Sequence, residues 1–286
     1  MKERLDVLLV QRGYFPSREK AKGAIMAGLV YVNKAISDKP GMPIKDDAEI
    51  WVKNDLCPYV GRGGLKLEKA LKTFDISVDG LVCTDIGAST GGFTDCMLQN
   101  GAVKVYAIDV GYGQLDYKLR VDDRVINMEK TNVRYLDTET FEKCGFVSID
   151  VSFISLNLVL PVAAKILTEG GSIAALVKPQ FEAGREQIGK HGIVSDPKVH
   201  EEVLQKVCGY AAEAGLVPVD VSFSPMTGAK GNIEYLLHMK PAASMAAEAG
   251  AADPAEGANS PAEAAFAAIS AKIPGVVEEA HKTLKK

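Results

Sequence analysis

Between residues 81 and 240, short apolar runs alternate with longer stretches of helical period. The runs "LVCTDI", "VKVYAID", "RVIN", "GFVSIDV", "SIAALVK", "PVDVSFS" and "NIEYLLHM" read as strands. Between most of them lie helical stretches such as "FTDCMLQNG", "SLNLVLPVAAKILTEG" and "DPKVHEEVLQKVCGYAAEAG". This alternation predicts an α/β domain with a doubly wound, mostly parallel, seven-stranded sheet covered on both faces. Ligands of such sheets bind beyond the carboxyl ends of the strands.

The first 57 residues follow another pattern. In "ERLDVLLVQRG", Leu5, Leu8 and Leu9 share one helical face, and Gly13 can end the helix. "SREKAKGAIMAG" repeats the design, with Ser17 as N-cap, Ala21 and Ile25 inward and Gly28 as the stop. "LVYV" and "AEIWV" then alternate as short strands around the turn-rich "NKAISDKPG". The pattern predicts a small α+β domain over 1–57 and a larger one over 58–240. Residues 241–286 are rich in Ala, Gly, Pro, Ser and Glu. They read as a low-complexity, flexible tail with a marginal helix after Ser260 that ends near Pro274.

The formal net charge of −4 excludes a global basic signature, so nucleic-acid binding requires a local patch. Arg18, Lys20, Lys22, Lys34 and Lys39 form one around the second helix and the turn after it. Charge alone does not choose between a solvated face and a phosphate-reading surface. Cys57, Cys83, Cys96, Cys144 and Cys208 lie far apart without ligand spacing, which predicts unpaired structural thiols and no metal site. The opening "MKERLDVLLVQRG" lacks a signal peptide's uninterrupted apolar segment, and "LNLVLPVAAKIL" is too short to span a bilayer. The chain reads as a soluble, cytoplasmic protein.

The turn "DIGASTGGFTD" leaves the first strand of the larger domain. Its small residues suit close approach of a ligand to the backbone. A phosphate P-loop is excluded by the missing Lys-Ser/Thr pair, and Gly87, Gly91 and Gly92 do not have the dinucleotide spacing. S-adenosylmethionine remains, and Asp109, closing "VYAID", stands where a carboxylate accepts ribose hydroxyls; such a residue also serves NAD. Asp85 either orients the loop or contacts the cofactor's amino group. Four further polar residues stand among apolar ones: Asp150 and Lys178 at strand ends, Glu234 within the strand "GNIEYLL", and Lys66 at the domain's entry. Each alone reads as ion-pair scaffolding, whereas two strand-end groups beside a cofactor loop read as a site.

The amino-terminal segment "RLDVLLVQRGYFPSREKAKGAIMAGLVYVNKAISDKPG" resembles the small RNA-binding module of ribosomal small-subunit protein four, tyrosyl-tRNA synthetases and pseudouridine synthases. "GRGGLKL", "DIGASTGGFTD", "AIDVGYGQL", "SIDVSFISL", "LVKPQFE" and "GNIEYLL" are similar to the TlyA family, which joins that module to an FtsJ-like, Rossmann-like RNA ribose 2′-O-methyltransferase. The resemblance implies Lys66, Asp150, Lys178 and Glu234 as the catalytic tetrad. For S-adenosylmethionine it implies Asp85, Gly87, Ala88, Ser89, Gly91, Gly92, Phe93, Asp109 and Val110. The implied RNA contacts are Arg4, Arg12, Arg18, Lys20, Lys22, Lys34, Lys39 and Arg62, on rRNA or ribosomal subunits, with cytidine in 16S rRNA, 23S rRNA or both as target. "KNDLCPYV" departs from the family's arginine–tryptophan linker, and Trp51 here falls in a strand. Two other function classes stay open: an RNA-binding or ribosome-assembly protein with an inert methyltransferase fold, and the membrane-active protein suggested by the family's haemolysin label.

Chemically, the protein must align a ribose hydroxyl with an electrophilic methyl and help remove one proton. A lysine does this only if a neighbouring cation or burial lowers its pKa. Lys178 is the residue expected at the hydroxyl, with Lys66 as the neighbouring cation and Asp150 and Glu234 holding the ammonium groups; Lys66 and Asp150 are the alternatives at the hydroxyl.

Overall fold

The computed structural model describes residues 2–15, 17–45, 47–52, 57–248 and 260–285. The chain divides into two units, Met1–Pro58 and Tyr59–Lys286.

In the first unit β1 (Lys2–Arg4) leads into α1 (Leu5–Gln11) and α2 (Arg18–Met26), followed by β2 (Val30–Val32), β3 (Ala35–Ile36), β4 (Pro43–Lys45) and β5 (Ile50–Val52). Leu5, Leu8, Leu9, Ala21 and Ile25 from the helices bury against Val30, Val32 and Ile50. The Ser17 hydroxyl accepts from the Lys20 amide at 3.3 Å, a side-chain N-cap. Glu3 and Arg4 do not extend the first helix, because Lys2–Arg4 pair antiparallel with Pro43–Lys45. The expected turn-rich connection contains a hairpin. Asn33 and Lys34 both take positive φ (51° and 69°), the twist that closes β2 onto β3.

The second unit runs α3 (Gly63–Thr73), β6 (Val82–Ile86), α4 (Gly92–Gln99), β7 (Lys104–Ile108), α5 (Tyr117–Arg120), β8 (Val125–Met128), β9 (Cys144–Ile149), α6 (Leu160–Ile166) and β10 (Leu167–Val177). It continues through α7 (Pro179–Glu182), α8 (Pro197–Glu213), β11 (Leu216–Phe223), β12 (Tyr235–Pro241), α9 (Ala242–Glu248) and α10 (Pro261–Leu284). One seven-stranded sheet has the order β11-β12-β10-β9-β6-β7-β8. β12 is antiparallel to both neighbours, and the pairs from β10 to β8 are parallel. Strand order reverses between β6 and β9, so a crevice opens at the carboxyl ends of those two strands. The helical stretch expected before the fifth strand stops early: Ile166 ends α6, and β10 starts at Leu167 with a register shift before Ser172.

The expectation of a flexible tail over 241–286 is corrected for most of its length; residues 249–259 lie outside the described ones. α9 continues directly from β12, and α10 runs unbroken through Pro274 to Leu284. Ile269, Ile273, Val276, Val277 and Ala280 recur at helical spacing and are buried, each large aliphatic contributing about 1.5–3 kcal/mol. The alanine-rich composition hid this stripe. Pro274 offers no N–H to the Ser270 carbonyl, which instead accepts from Gln205 Nε2 on α8 at 3.3 Å. That substitute donor lets the helix continue. Cys83, Cys96, Cys144 and Cys208 are buried, and Cys57 is half-buried. Among the described residues, no helix is long and apolar enough to cross a membrane.

Candidate active site

The glycine turn joins β6 to α4, and its glycines answer to the protein's own chain. Gly87 has φ +91°, and a Cβ there would strike the carbonyl of Asp150. Gly91 has φ +94°, and a Cβ there would strike Leu119. At Gly92 a Cβ would lie 2.9 Å from the Gly64 amide nitrogen and 3.1 Å from the Gly61 carbonyl. These glycines let β6 approach β9, and α4 approach the start of α3. Close approach of backbone accounts for Gly87 and Gly92, and the Leu119 side chain with a positive φ accounts for Gly91, without a ligand.

Asp85 is fully buried one residue before the end of β6. Its carboxyl accepts from the Thr94 hydroxyl at 2.7 Å and the Ser148 hydroxyl at 3.2 Å. Burial pushes it up to about 7, with nearby Asp150 adding to the rise and the Thr94 and Ser148 hydrogen bonds opposing it. These two hydroxyls tie the end of β6 to α4 and β9.

A cleft of about 510 Å³ opens at the strand-order reversal. Gly87, Ser89, Asp109 and Val110 line it, as does Asp150. Ala88, Gly91, Gly92 and Phe93 are buried behind it and, with Asp85, are not among its lining residues. Asp109, directly after β7, accepts from the Ser89 amide at 2.8 Å and the Gly111 amide at 2.6 Å. It thereby ties the first crevice loop to the second. Two oxygens with four acceptor positions leave capacity for ligand hydroxyls. Ile108 and Val133 give the cleft apolar walls, while Gln114, Asn132 and Arg134 add polar groups. Thr131–Arg134 follow β8, so the rule that ligands bind past strand ends could have found them.

Two ion pairs organise the four anticipated catalytic residues. Lys178, directly after β10, places Nζ 2.6 Å from Asp150 Oδ1 and donates to the Ser152 hydroxyl at 2.9 Å. The Asp150 contact has ion-pair distance without hydrogen-bond alignment at that oxygen. Lys66 on α3 pairs with Glu234 at 2.5 Å. Glu234 precedes β12 rather than lying within a strand, and it is nearly fully buried. Ser152 and Phe153, which the sequence did not single out, also line the cleft. Phe153 has φ +63° and is 90% exposed, its ring 4.8 Å from that of Phe181. Behind them, Glu182 accepts from the Ser155 hydroxyl and the Leu156 amide, both at 2.7 Å, and fixes the return of this loop.

In the first unit, the anticipated basic residues separate into two groups. Arg4 and Arg18 each lie 3.0 Å from the buried Asp6. Burial pushes the Asp6 carboxyl up, but the hydrogen bonds from Arg4 and Arg18 prevail and hold it below the usual range. Arg12 donates to the Ala48 carbonyl at 2.9 Å. Lys20, Lys34 and Lys39 are exposed, and Lys22 is half-buried. Arg62 belongs to the second unit, exposed at the start of α3.

Comparison with known proteins matches residues 59–241 to the FtsJ-like methyltransferase family and residues 3–50 to the S4 domain. The Bacillus subtilis protein YqxC, provisionally named an rRNA methyltransferase, is 54% identical over 287 residues, covering 100% of this chain and 96% of that protein. The Mycobacterium tuberculosis 16S/23S rRNA (cytidine-2′-O)-methyltransferase TlyA is 42% identical over 239 residues, 83% of this chain and 89% of that one. A solved Streptococcus thermophilus structure, provisionally described as a hemolysin, has a TM-score of 0.72 at 49% identity, covering 99% of this chain and 97% of that chain. The chain belongs to the TlyA family of S-adenosylmethionine-dependent, FtsJ-like methyltransferases with an amino-terminal S4 RNA-binding domain.

Proposed function

We propose that this chain transfers a methyl group from S-adenosylmethionine to the ribose 2′-oxygen of cytidine in 16S rRNA, 23S rRNA or both. One observation carries the reading: Asp150 lines the same cleft as Asp109 and holds Lys178 at 2.6 Å. A basic side chain thus stands at the edge of a pocket suited to the cofactor. The pocket pairs apolar walls at Ile108 and Val133 with the partly engaged acceptor Asp109, which fits an adenosyl group with its ribose.

When bound, S-adenosylmethionine supplies an electrophilic methyl. Asp109 would accept from the cofactor's ribose hydroxyls, and it keeps the two crevice loops joined. Lys178 has three N–H donors, and Asp150 and Ser152 hold it in place. An N–H not engaged by Ser152 meets the attacking hydroxyl oxygen and orients it for in-line displacement. The proton released by that hydroxyl goes to Asp150, because a carboxylate has free lone pairs and an ammonium has none. Glu234 holds Lys66 as a second cation.

Incubating the protein with labelled S-adenosylmethionine and ribosomal subunits from a strain lacking the gene tests this. Label is expected on cytidine ribose in one or both subunits, and mapping gives each position. Cofactor and RNA binding without methyl transfer would leave the RNA-binding or assembly reading instead.

A further inference from the structure

The outer face of the amino-terminal sheet carries a row of side chains that its core does not use. Tyr31 stands opposite Ile36 on one side and Trp51 on the other, so the three cross the sheet in register. Val30, Val32 and Ile50 point the opposite way, into the buried cluster. Ile36 is 61% exposed and Trp51 55%. The Tyr31 and Trp51 rings lie 4.8 Å apart at 58°, so Tyr31 props the indole while more than half of Trp51 stays accessible. Lys34 and Glu49 complete a hollow of about 320 Å³ around the two rings. Beyond Ile36, a second hollow is lined by Lys2, Lys39 and Lys45 as well as Asp38 and Asp47.

We infer that Trp51, propped by Tyr31, is a stacking platform for an unpaired RNA base. A protein partner needs roughly 800 Å² on each side, far more than a row of three apolar residues offers. A single base needs one aromatic face and a nearby cation for its phosphate, and Trp51 with Lys34 supplies both. The cross-strand pair also steadies the sheet, but that contribution does not require an exposed indole. The inference rests on the RNA-directed reading of the chain.

Trp51 is the only tryptophan in the sequence, so selectively excited tryptophan emission reports this face alone. The full chain is titrated with single-stranded oligoadenylate, oligouridylate and an RNA duplex, while anisotropy of labelled RNA measures binding independently. Single-stranded RNA is expected to quench the emission, adenylate most strongly and duplex least. Trp51→Val, which keeps strand propensity, is expected to weaken single-strand affinity about tenfold with an unchanged melting temperature, and Trp51→Phe to restore most of it. RNA that binds by anisotropy while the emission stays constant would overturn the platform and leave the methyltransferase reading standing. An emission change that follows protein concentration, not RNA, would overturn it in favour of self-association. Absence of any RNA binding by the wild-type chain would remove both readings.

Discussion

Asp85 sits between Thr94 and Ser148 with no exposed surface, and its protonation is coupled to folding. Its ordinary value is 3.8, and in the folded protein burial raises it to about 7. Folding therefore takes up a proton between these values. The stabilising contribution is complete below about pH 4 and is lost as pH rises through 7. Asp85→Asn is expected to remove this dependence, so its melting temperature should change less than the wild type's between pH 4 and 8. Parallel melting curves for the two proteins would contradict the assignment. Lys178 tests the chemistry. Lys178→Ala should lower single-turnover methyl transfer about 10²-fold or more while cofactor affinity by calorimetry stays the same. Breaking a fully buried pair costs roughly 3–5 kcal/mol. The Asp150 side chain keeps 21% exposure at the cleft, so water can take over and the stability loss should be smaller. A variant that unfolds, or one that transfers normally, defeats the role. At this scale the strand-end residues Asp109, Asp150 and Lys178 were legible because their position follows from the strand pattern. The glycines were not: a sequence does not say whether a missing Cβ faces a ligand or the chain itself.

α10 shows how an element can hide from composition. Its alanines and glutamates dilute an apolar stripe that only a partner surface makes visible, and the helix packs against β11 and α8. Pro274 pointed to a helix end. The missing donor is replaced from Gln205, far away in sequence, which no local rule anticipates. Ile273 is fully buried. Ile273→Ala is expected to destabilise the protein by roughly 2–5 kcal/mol, the usual range for emptying such a site. Denaturant unfolding measures this, and an unchanged midpoint would mean that α10 contributes no packing. By contrast α1, α2 and the strands β6, β7 and β9 carried clean periodicity and local stop signals, and they stand close to where the sequence placed them.

Across the whole molecule a net charge of −4 leaves RNA attraction to local groups. The two groups of basic residues in the first unit should respond differently. Lys20→Ala with Lys22→Ala is expected to flatten the salt dependence of RNA affinity by roughly 0.7–0.9 for each phosphate no longer neutralised, with the melting temperature unchanged. Arg18→Ala should instead lower the melting temperature, because buried Asp6 keeps only Arg4. Binding isotherms over a salt series, with parallel melts, separate the two, and identical behaviour would refute the distinction. The sequence by itself determined the alternating α/β order and the resemblance that names the family. Periodicity, turn residues and motifs are properties of neighbours along the chain. Only the tertiary structure decided that Asp150 takes Lys178 and Glu234 takes Lys66, that the loop glycines admit other parts of the chain, and that Arg18 is committed to Asp6. Those outcomes depend on which distant segments meet, and sheet order and burial set that.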